Sequence, residues 1–98
     1  MNITKKQTGT TLVIALDDRL DNVTAPELSR EIEQGFHGVE ELIWDFSNLE
    51  YITSAGLRAL LTAQRMLYGK GSMKVIHANE MVREVFELTG LDELLENE

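Results

Sequence analysis

The chain has 98 residues, a length that fits one domain with a core of modest size, since single domains commonly hold about 50 to 250 residues. A hydrophobic content of 43% argues against a disordered chain, and the absence of cysteine removes disulfides, thiolate metal sites and cysteine nucleophiles. Seventeen acidic against nine basic residues give a formal charge of −8, which opposes a nucleic-acid backbone and favours solubility.

The N-terminus, Met1-Asn-Ile-Thr-Lys-Lys, runs into no apolar targeting segment, and no apolar run is long enough to span a bilayer. The expectation is a cytoplasmic protein without direct membrane insertion, with residues 1–98 forming a single domain. Gly9-Thr10 reads as a hairpin turn between strands over 2–6 and 11–16. The second strand is almost continuously apolar and rich in branched residues, so it is expected to be central and covered on both faces.

After the polar connection Asp17-Asp-Arg-Leu-Asp21, a helix starts at Val23-Thr-Ala-Pro-Glu-Leu28. Thr24 as N-cap with Glu27 at N3 forms the pattern of a capping box, and Val23 with Leu28 that of a hydrophobic staple. Pro26 falls in the first turn, where its missing N–H is harmless. This helix runs to about residue 34 and stops at Gly35, with Leu28, Ile32 and Phe36 as a narrow apolar face.

A third strand over 40–46 leads through a turn at Ser47-Asn48 and a further extended stretch, 49–52, into a helix over 54–68. Leu57, Leu60, Leu61 and Ala63 recur there at helical spacing, and Gly69-Lys-Gly71 terminates it. A fourth strand covers 72–77. Asn79 is the N-cap of a last helix carrying Val82, Val85 and Phe86, and Gly90 is its left-handed C′ residue with Leu91 closing behind it. The final residues, 92–98, dock two leucines and then fray. The order β-β-α-β-α-β-α predicts an α/β fold: a mixed, mainly parallel four-stranded sheet with helices chiefly on one face.

The chemistry concentrates where the third strand feeds the second helix. A helix start leaves backbone N–H groups unpaired, and Ser54 there is placed for exposure, so a phosphate on it would sit near those donors. Ser54 is the expected phosphate acceptor, with Thr53 as the alternative; either is equally an ordinary N-cap residue. Small neighbours, Ala55 and Gly56, let another chain approach, and Arg58 with Met66 belongs to a contact surface beside Ser54, or Arg58 and Arg65 are simply solvated.

Catalysis is poorly supported. A serine nucleophile needs a base and an orienting carboxylate, and the only histidines are His37 and His77. Thr53-Ser-Ala-Gly lacks the Gly-x-Ser-x-Gly form of a nucleophile elbow. Asp17, Asp18 and Asp21 crowd one loop without the pattern of a calcium site, so neither metal nor cofactor is expected, and no nucleotide-binding glycine motif is present. Trp44 is expected in the core, Tyr51 in the core or on an interface rim, and Asp45 at the exposed face or capping the Asn48 turn.

The stretch Leu42-Ile-Trp-Asp-Phe-Ser-Asn-Leu-Glu-Tyr-Ile-Thr-Ser-Ala-Gly-Leu-Arg-Ala-Leu-Leu61 resembles the strand, phosphoacceptor loop and second helix of the STAS domain family, in its free-standing bacterial anti-sigma factor antagonist form. Leu20-Asp-Asn-Val-Thr-Ala-Pro-Glu-Leu28 and Val82-Arg-Glu-Val-Phe-Glu-Leu-Thr-Gly-Leu-Asp-Glu-Leu-Leu95 resemble its first helix start and its ending. The resemblance implies a non-enzymatic switch. It binds an anti-sigma factor that is also a serine kinase with a histidine-kinase-type ATP-binding fold, and that kinase discharges it by phosphorylation. A serine phosphatase restores it.

By the same resemblance Ser54 is the acceptor, and the Asp17 to Thr24 loop, with Asp21, Asn22 and Thr24, faces the kinase together with Thr53, Ala55, Gly56 and Arg58. The family's usual Asp-Ser-Ser-Gly-Leu is here Thr53-Ser-Ala-Gly-Leu57, which keeps the acceptor and changes its flanks. The alternative is a STAS subunit that supports a transport complex without phosphorylation.

Overall fold

The computed structural model describes residues 1–96. Four strands, β1 (Ile3–Thr8), β2 (Thr11–Leu20), β3 (Glu41–Ile52) and β4 (Ser72–Ile76), form one sheet in the order β1-β2-β3-β4. β1 pairs antiparallel with β2 through the Gly9-Thr10 turn, while β2–β3 and β3–β4 are parallel. The helices are α1 (Ala25–Glu33), α2 (Ser54–Leu67) and α3 (Glu80–Leu88), followed by a short 3-10 turn, Asp92–Leu94. The α/β class, the element order and the mainly parallel mixed sheet therefore match the sequence reading.

Strand periodicity decides which face is covered. Leu12, Ile14 and Leu16 of β2, Leu42, Trp44 and Phe46 of β3, and Met73 and Val75 of β4 are buried. They form one cluster with Leu28 and Ile32 of α1, Leu57, Leu60 and Ala63 of α2, and Val82 and Phe86 of α3. The intervening Thr11, Val13, Ala15, Ile43, Lys74 and Ile76 stay partly exposed. β2 is thus central but covered on one face only, contrary to the expectation from its apolar run: branched residues occupy the open face too, where neighbouring strands shield them in part.

Two further expectations change. β2 does not end at Leu16 but continues to Leu20, taking in the acidic stretch read as a connection. β3 likewise carries no turn at Ser47-Asn48; it is one strand with bulges. Between Ala15↔Asp45 and Asp17↔Asn48 one residue of β2, Leu16, faces two of β3, Phe46 and Ser47, and the register slips again before Arg19↔Tyr51. The slips turn Leu49 and Ile52 inward while Glu50 and Tyr51 face out. Asp45 braces the first bulge, its Oδ1 accepting from the Ser47 N–H at 3.0 Å and the Ser47 hydroxyl at 2.7 Å.

The helix ends divide between those the sequence predicted and one it did not. Asn79 caps α3 as expected, its Oδ1 accepting from the Val82 N–H at 2.8 Å, while its Nδ2 donates to the carbonyls of Leu49 and Glu50. At the other end Gly90 has φ +76, and the N–H groups of Gly90 and Leu91 donate to the Glu87 and Phe86 carbonyls. Those two bonds are the pair that closes a Schellman cap.

No capping box forms at Thr24, whose side chain makes no cap bond, and Val23 is 79% exposed, so there is no staple. Instead Thr24 Oγ1 accepts from the Asp21 N–H at 2.9 Å and donates to the Arg19 carbonyl at 2.7 Å. The hydroxyl ties α1 to the end of β2 rather than to its own first turn. Leu94 is buried as expected, and the Glu96 N–H donates to the Val75 carbonyl at 2.8 Å; the expected fraying at residues 97–98 lies outside the described residues.

Trp44 is fully buried as expected, although its Nε1 has no partner among the described residues, so its ring stabilises through area alone. Phe46 and Phe86 meet edge to face, centroids 6.4 Å apart, which joins α3 to the middle of the sheet. Phe86→Ala is expected to lower unfolding free energy by about 3–5 kcal/mol in urea titrations, whereas Tyr68→Ala, at a site 88% exposed, is expected to stay within about 0.5 kcal/mol.

Candidate functional site

α2 begins where β3 has run past β4 and ends level with β2. Thr53 is the N-cap in extended geometry (φ −111, ψ 176), and Ser54 is the first helical residue. The first backbone bond of the helix is from the Leu57 N–H to the Thr53 carbonyl at 3.0 Å. The N–H groups of Ser54, Ala55 and Gly56 have no partner among the described residues, as elementary helix geometry requires. Ser54 is exposed, whereas Thr53 Oγ1 is buried without a partner.

This start is pressed against the end of β2. The Thr53 N–H donates to the Leu20 carbonyl at 3.0 Å. A Cβ on Gly56 would lie 2.6 Å from Leu20 Cγ, 2.9 Å from Leu20 O and 3.0 Å from Ile52 Cγ1. Only a residue without a side chain lets the helix approach so closely. Gly56 is therefore a buried packing position.

Beside it lies the connection into α1. Asp21 Oδ1 accepts from the Val23 N–H at 2.9 Å and the Thr24 N–H at 3.1 Å. The Thr24 bond first, then the Val23 bond, hold its carboxyl below the usual 3.8, with a smaller pull from Arg19. Asp17 is held low in the same way, chiefly by the Asn2 N–H at 2.7 Å. Asp21 thus shapes its own loop with one oxygen.

Along α1, beside the start of α2, runs an open groove of about 600 Å³, lined by Asn22, Ala25, Pro26, Ser29, Arg30, Glu33, Ala55 and Arg58. Asn22, Ala55 and Arg58 were singled out in the sequence; Arg30 and Ser29 were not. The signal for Arg30 was present in the parallel crossovers, which set α1 and α2 side by side, but only the contact between them shows which turn of α1 meets Arg58. Arg30 and Arg58 make no ion pair among the described residues, in a chain where acids outnumber bases.

His77, by contrast, lies just past the end of β4. β4 stops level with Asp45, and β3 continues seven residues beyond it to Ile52. A base that acts on a serine hydroxyl must be within hydrogen-bond reach. No hydrogen bond joins His77 to Ser54 among the described residues.

Residues 3–96 match the family described as "Mlab, STAS domain". The chain belongs to the STAS domain family. Among curated proteins this STAS domain is similar to the anti-sigma factor antagonist assigned as BtrV in Bordetella bronchiseptica, at 32% identity over 92% of this chain and 79% of that protein.

Among solved structures it is similar to the anti-sigma factor antagonist SpoIIAA in its unphosphorylated form, with TM-score 0.84 and 26% identity over 99% of this chain and 88% of that one. It is also similar to the phosphorylated form of the Bacillus cell fate determinant SpoIIAA, with TM-score 0.70 and 26% identity over 99% and 91% of the two chains. Sequence and structure therefore agree in placing this STAS domain with the anti-sigma factor antagonists. No helix of the described residues is long and apolar enough to cross a membrane.

Gly56→Ala is expected to destabilise the fold by about 1–3 kcal/mol despite the higher helix propensity of alanine, because the Leu20 carbonyl is backbone and cannot swing aside; urea midpoints measure this. Asp21→Asn tests the loop by pH. A depressed carboxyl stabilises the fold above its unfolded value of 3.8, and that contribution is lost as pH falls through its lower folded value. The variant is expected to be less stable than the parent at pH 7 and to converge with it below pH 3.8 in paired denaturation curves.

Proposed function

We propose that this STAS domain is a protein-binding switch in the cytoplasm, an anti-sigma factor antagonist that engages an anti-sigma factor and serine kinase when Ser54 is unmodified and is released when Ser54 carries a phosphate. The observation that carries the reading is the exposed Ser54 hydroxyl on the first residue of a helix whose leading amides are unpaired. Similarity to a protein solved in both unphosphorylated and phosphorylated forms supports it. The burial of Thr53 Oγ1 supports Ser54 over Thr53 as acceptor.

The transfer balances simply. The γ-phosphorus of the kinase's ATP forms a bond to Ser54 Oγ as its bond to the bridging oxygen breaks; the serine proton passes to a base of the kinase and ADP leaves. A phosphatase reverses the state by hydrolysis. The product places roughly two negative charges at the positive end of α2, where they are tolerated by the fold. The partner then meets charge and bulk where it had met Ser54 and Ala55.

The surface offered to that partner consists of Asp21, Asn22 and Thr24 on one side and Ala55 and Arg58 on the other; Gly56, buried against Leu20, and Thr53, whose hydroxyl is buried, hold that surface in place from beneath rather than forming part of it. Asp21 and Thr24 contribute mainly by fixing the loop, since their Oδ1 and Oγ1 atoms are engaged within it. Asn22 and Arg58 are exposed and free to touch another chain.

Pull-downs from the native cell with wild type, Ser54→Ala and Ser54→Asp separate the readings. A kinase-fold partner retained by the first two and lost by the third is the expected result. The same partners with all three forms, or a membrane-associated transport ATPase among them, would instead indicate a constitutive subunit. Phosphosite mapping of the protein purified from the same cells is expected to find phosphate on Ser54 and none on Thr53.

A further inference from the structure

The groove beside Ser54 holds two arginines in a chain whose acids outnumber its bases seventeen to nine. Arg58 stands one helical turn after Ser54, at the i+4 spacing that brings side chains to adjacent positions on one face, about 5–6 Å apart at Cβ. Arg30 lines the same groove from α1. Both guanidinium groups are unpaired among the described residues, although Glu33 lines the groove as well. An arginine presents a planar fork of donors that matches phosphate oxygens.

The surrounding charges make the point sharper. Asp21, ionised at neutral pH, faces the site from the β2–α1 connection, and exposed Glu50 lies near the end of β3. Arg19, at the end of β2, already acts on Asp21. A dianion on Ser54 would therefore be repelled by its acidic neighbours unless local cations receive it. Arg58 is the cation with the right spacing on the same helix, and Arg30 is the one that shares its groove.

We propose that Arg58, assisted by Arg30 across the groove, is an internal receptor for the phosphate on Ser54: the modified serine is latched onto its own α1–α2 groove, and the groove's two cations are withdrawn from the surface offered to a partner. This deepens the switch reading and rests on it for its biological role. The latch itself is a property of the phosphorylated chain alone. Release of the partner then has two parts, the added charge on Ser54 and the loss of Arg58 and Arg30 as donors to the other protein.

The test uses full-length protein made with phosphoserine at position 54 and follows the phosphate by 31P NMR as pH is varied. A solvated phosphoserine loses its second proton near pH ~6. In the wild type the midpoint is expected to lie lower by about 0.5 or more, since a nearby cation favours the dianion. Arg58→Ala is expected to return it most of the way, Arg30→Ala part of the way, and Arg58→Lys to keep a portion of the shift.

Arg65→Ala, about three turns along α2 from Ser54, is expected to leave the midpoint unchanged, and circular dichroism of each variant checks that the fold persists. A midpoint that is the same in wild type and Arg58→Ala overturns the latch, as does a shift that disappears with Arg19→Ala and not with Arg58→Ala. Either failure leaves the switch reading intact, because the phosphate can act on a partner directly. Loss of the switch reading shows differently, as partners in the pull-down that ignore Ser54→Asp.

Discussion

The site depends on how closely α2 is seated against the end of β2. Gly56 allows the contact, and the Thr53 N–H to Leu20 carbonyl bond fixes its register. Because Leu20 is fully buried, the anchor belongs to the core and is as rigid as the core is. Ser54, two residues before Gly56, inherits that rigidity while remaining exposed. On the proposed switch reading, the hydroxyl an enzyme would modify is thereby held on a fixed support rather than on a floppy loop.

The bulges in β3 belong to the same design. They let a twelve-residue strand bend so that Leu49 and Ile52 stay in the core as β3 runs beyond the end of β4. Asn79 then covers part of the exposed edge by donating to the Leu49 and Glu50 carbonyls, which ties the start of α3 to the strand that leads into the site. β2 follows β3 outward through Asp18, a non-glycine residue at φ 63, and ends in the Asp21 loop. The two longest strands carry the two halves of the candidate surface out together, and the shorter β1 and β4 stay behind.

The sequence disclosed this arrangement unevenly, for physical reasons. Helix ends governed by local chemistry were legible: Asn79 and Gly90 need only their neighbours in sequence to form their caps. So was the Ser54 position, since a change from strand to helix periodicity marks a helix start. What depended on tertiary competition was not. Thr24 carries a capping-box pattern, but its hydroxyl finds better partners in the backbone of Arg19 and Asp21. The polar run Asp17 to Leu20 reads as a loop because nothing local announces that β3 will extend alongside it.

Arg30 shows the same limit at the site. Its place on an exposed face of α1 was consistent with ordinary solvation, and its meaning arises only from the helix packed beside it. Two unpaired arginines sharing a groove next to a serine are a different object from two solvated arginines, because their mutual repulsion is relieved when an anion sits between them. In the proposed latch a phosphate on Ser54 would supply that anion from within the chain, without a new binding partner. On this argument the unmodified and modified states share one fold and differ in which charges face outward, so the information passed to a partner is electrostatic rather than conformational.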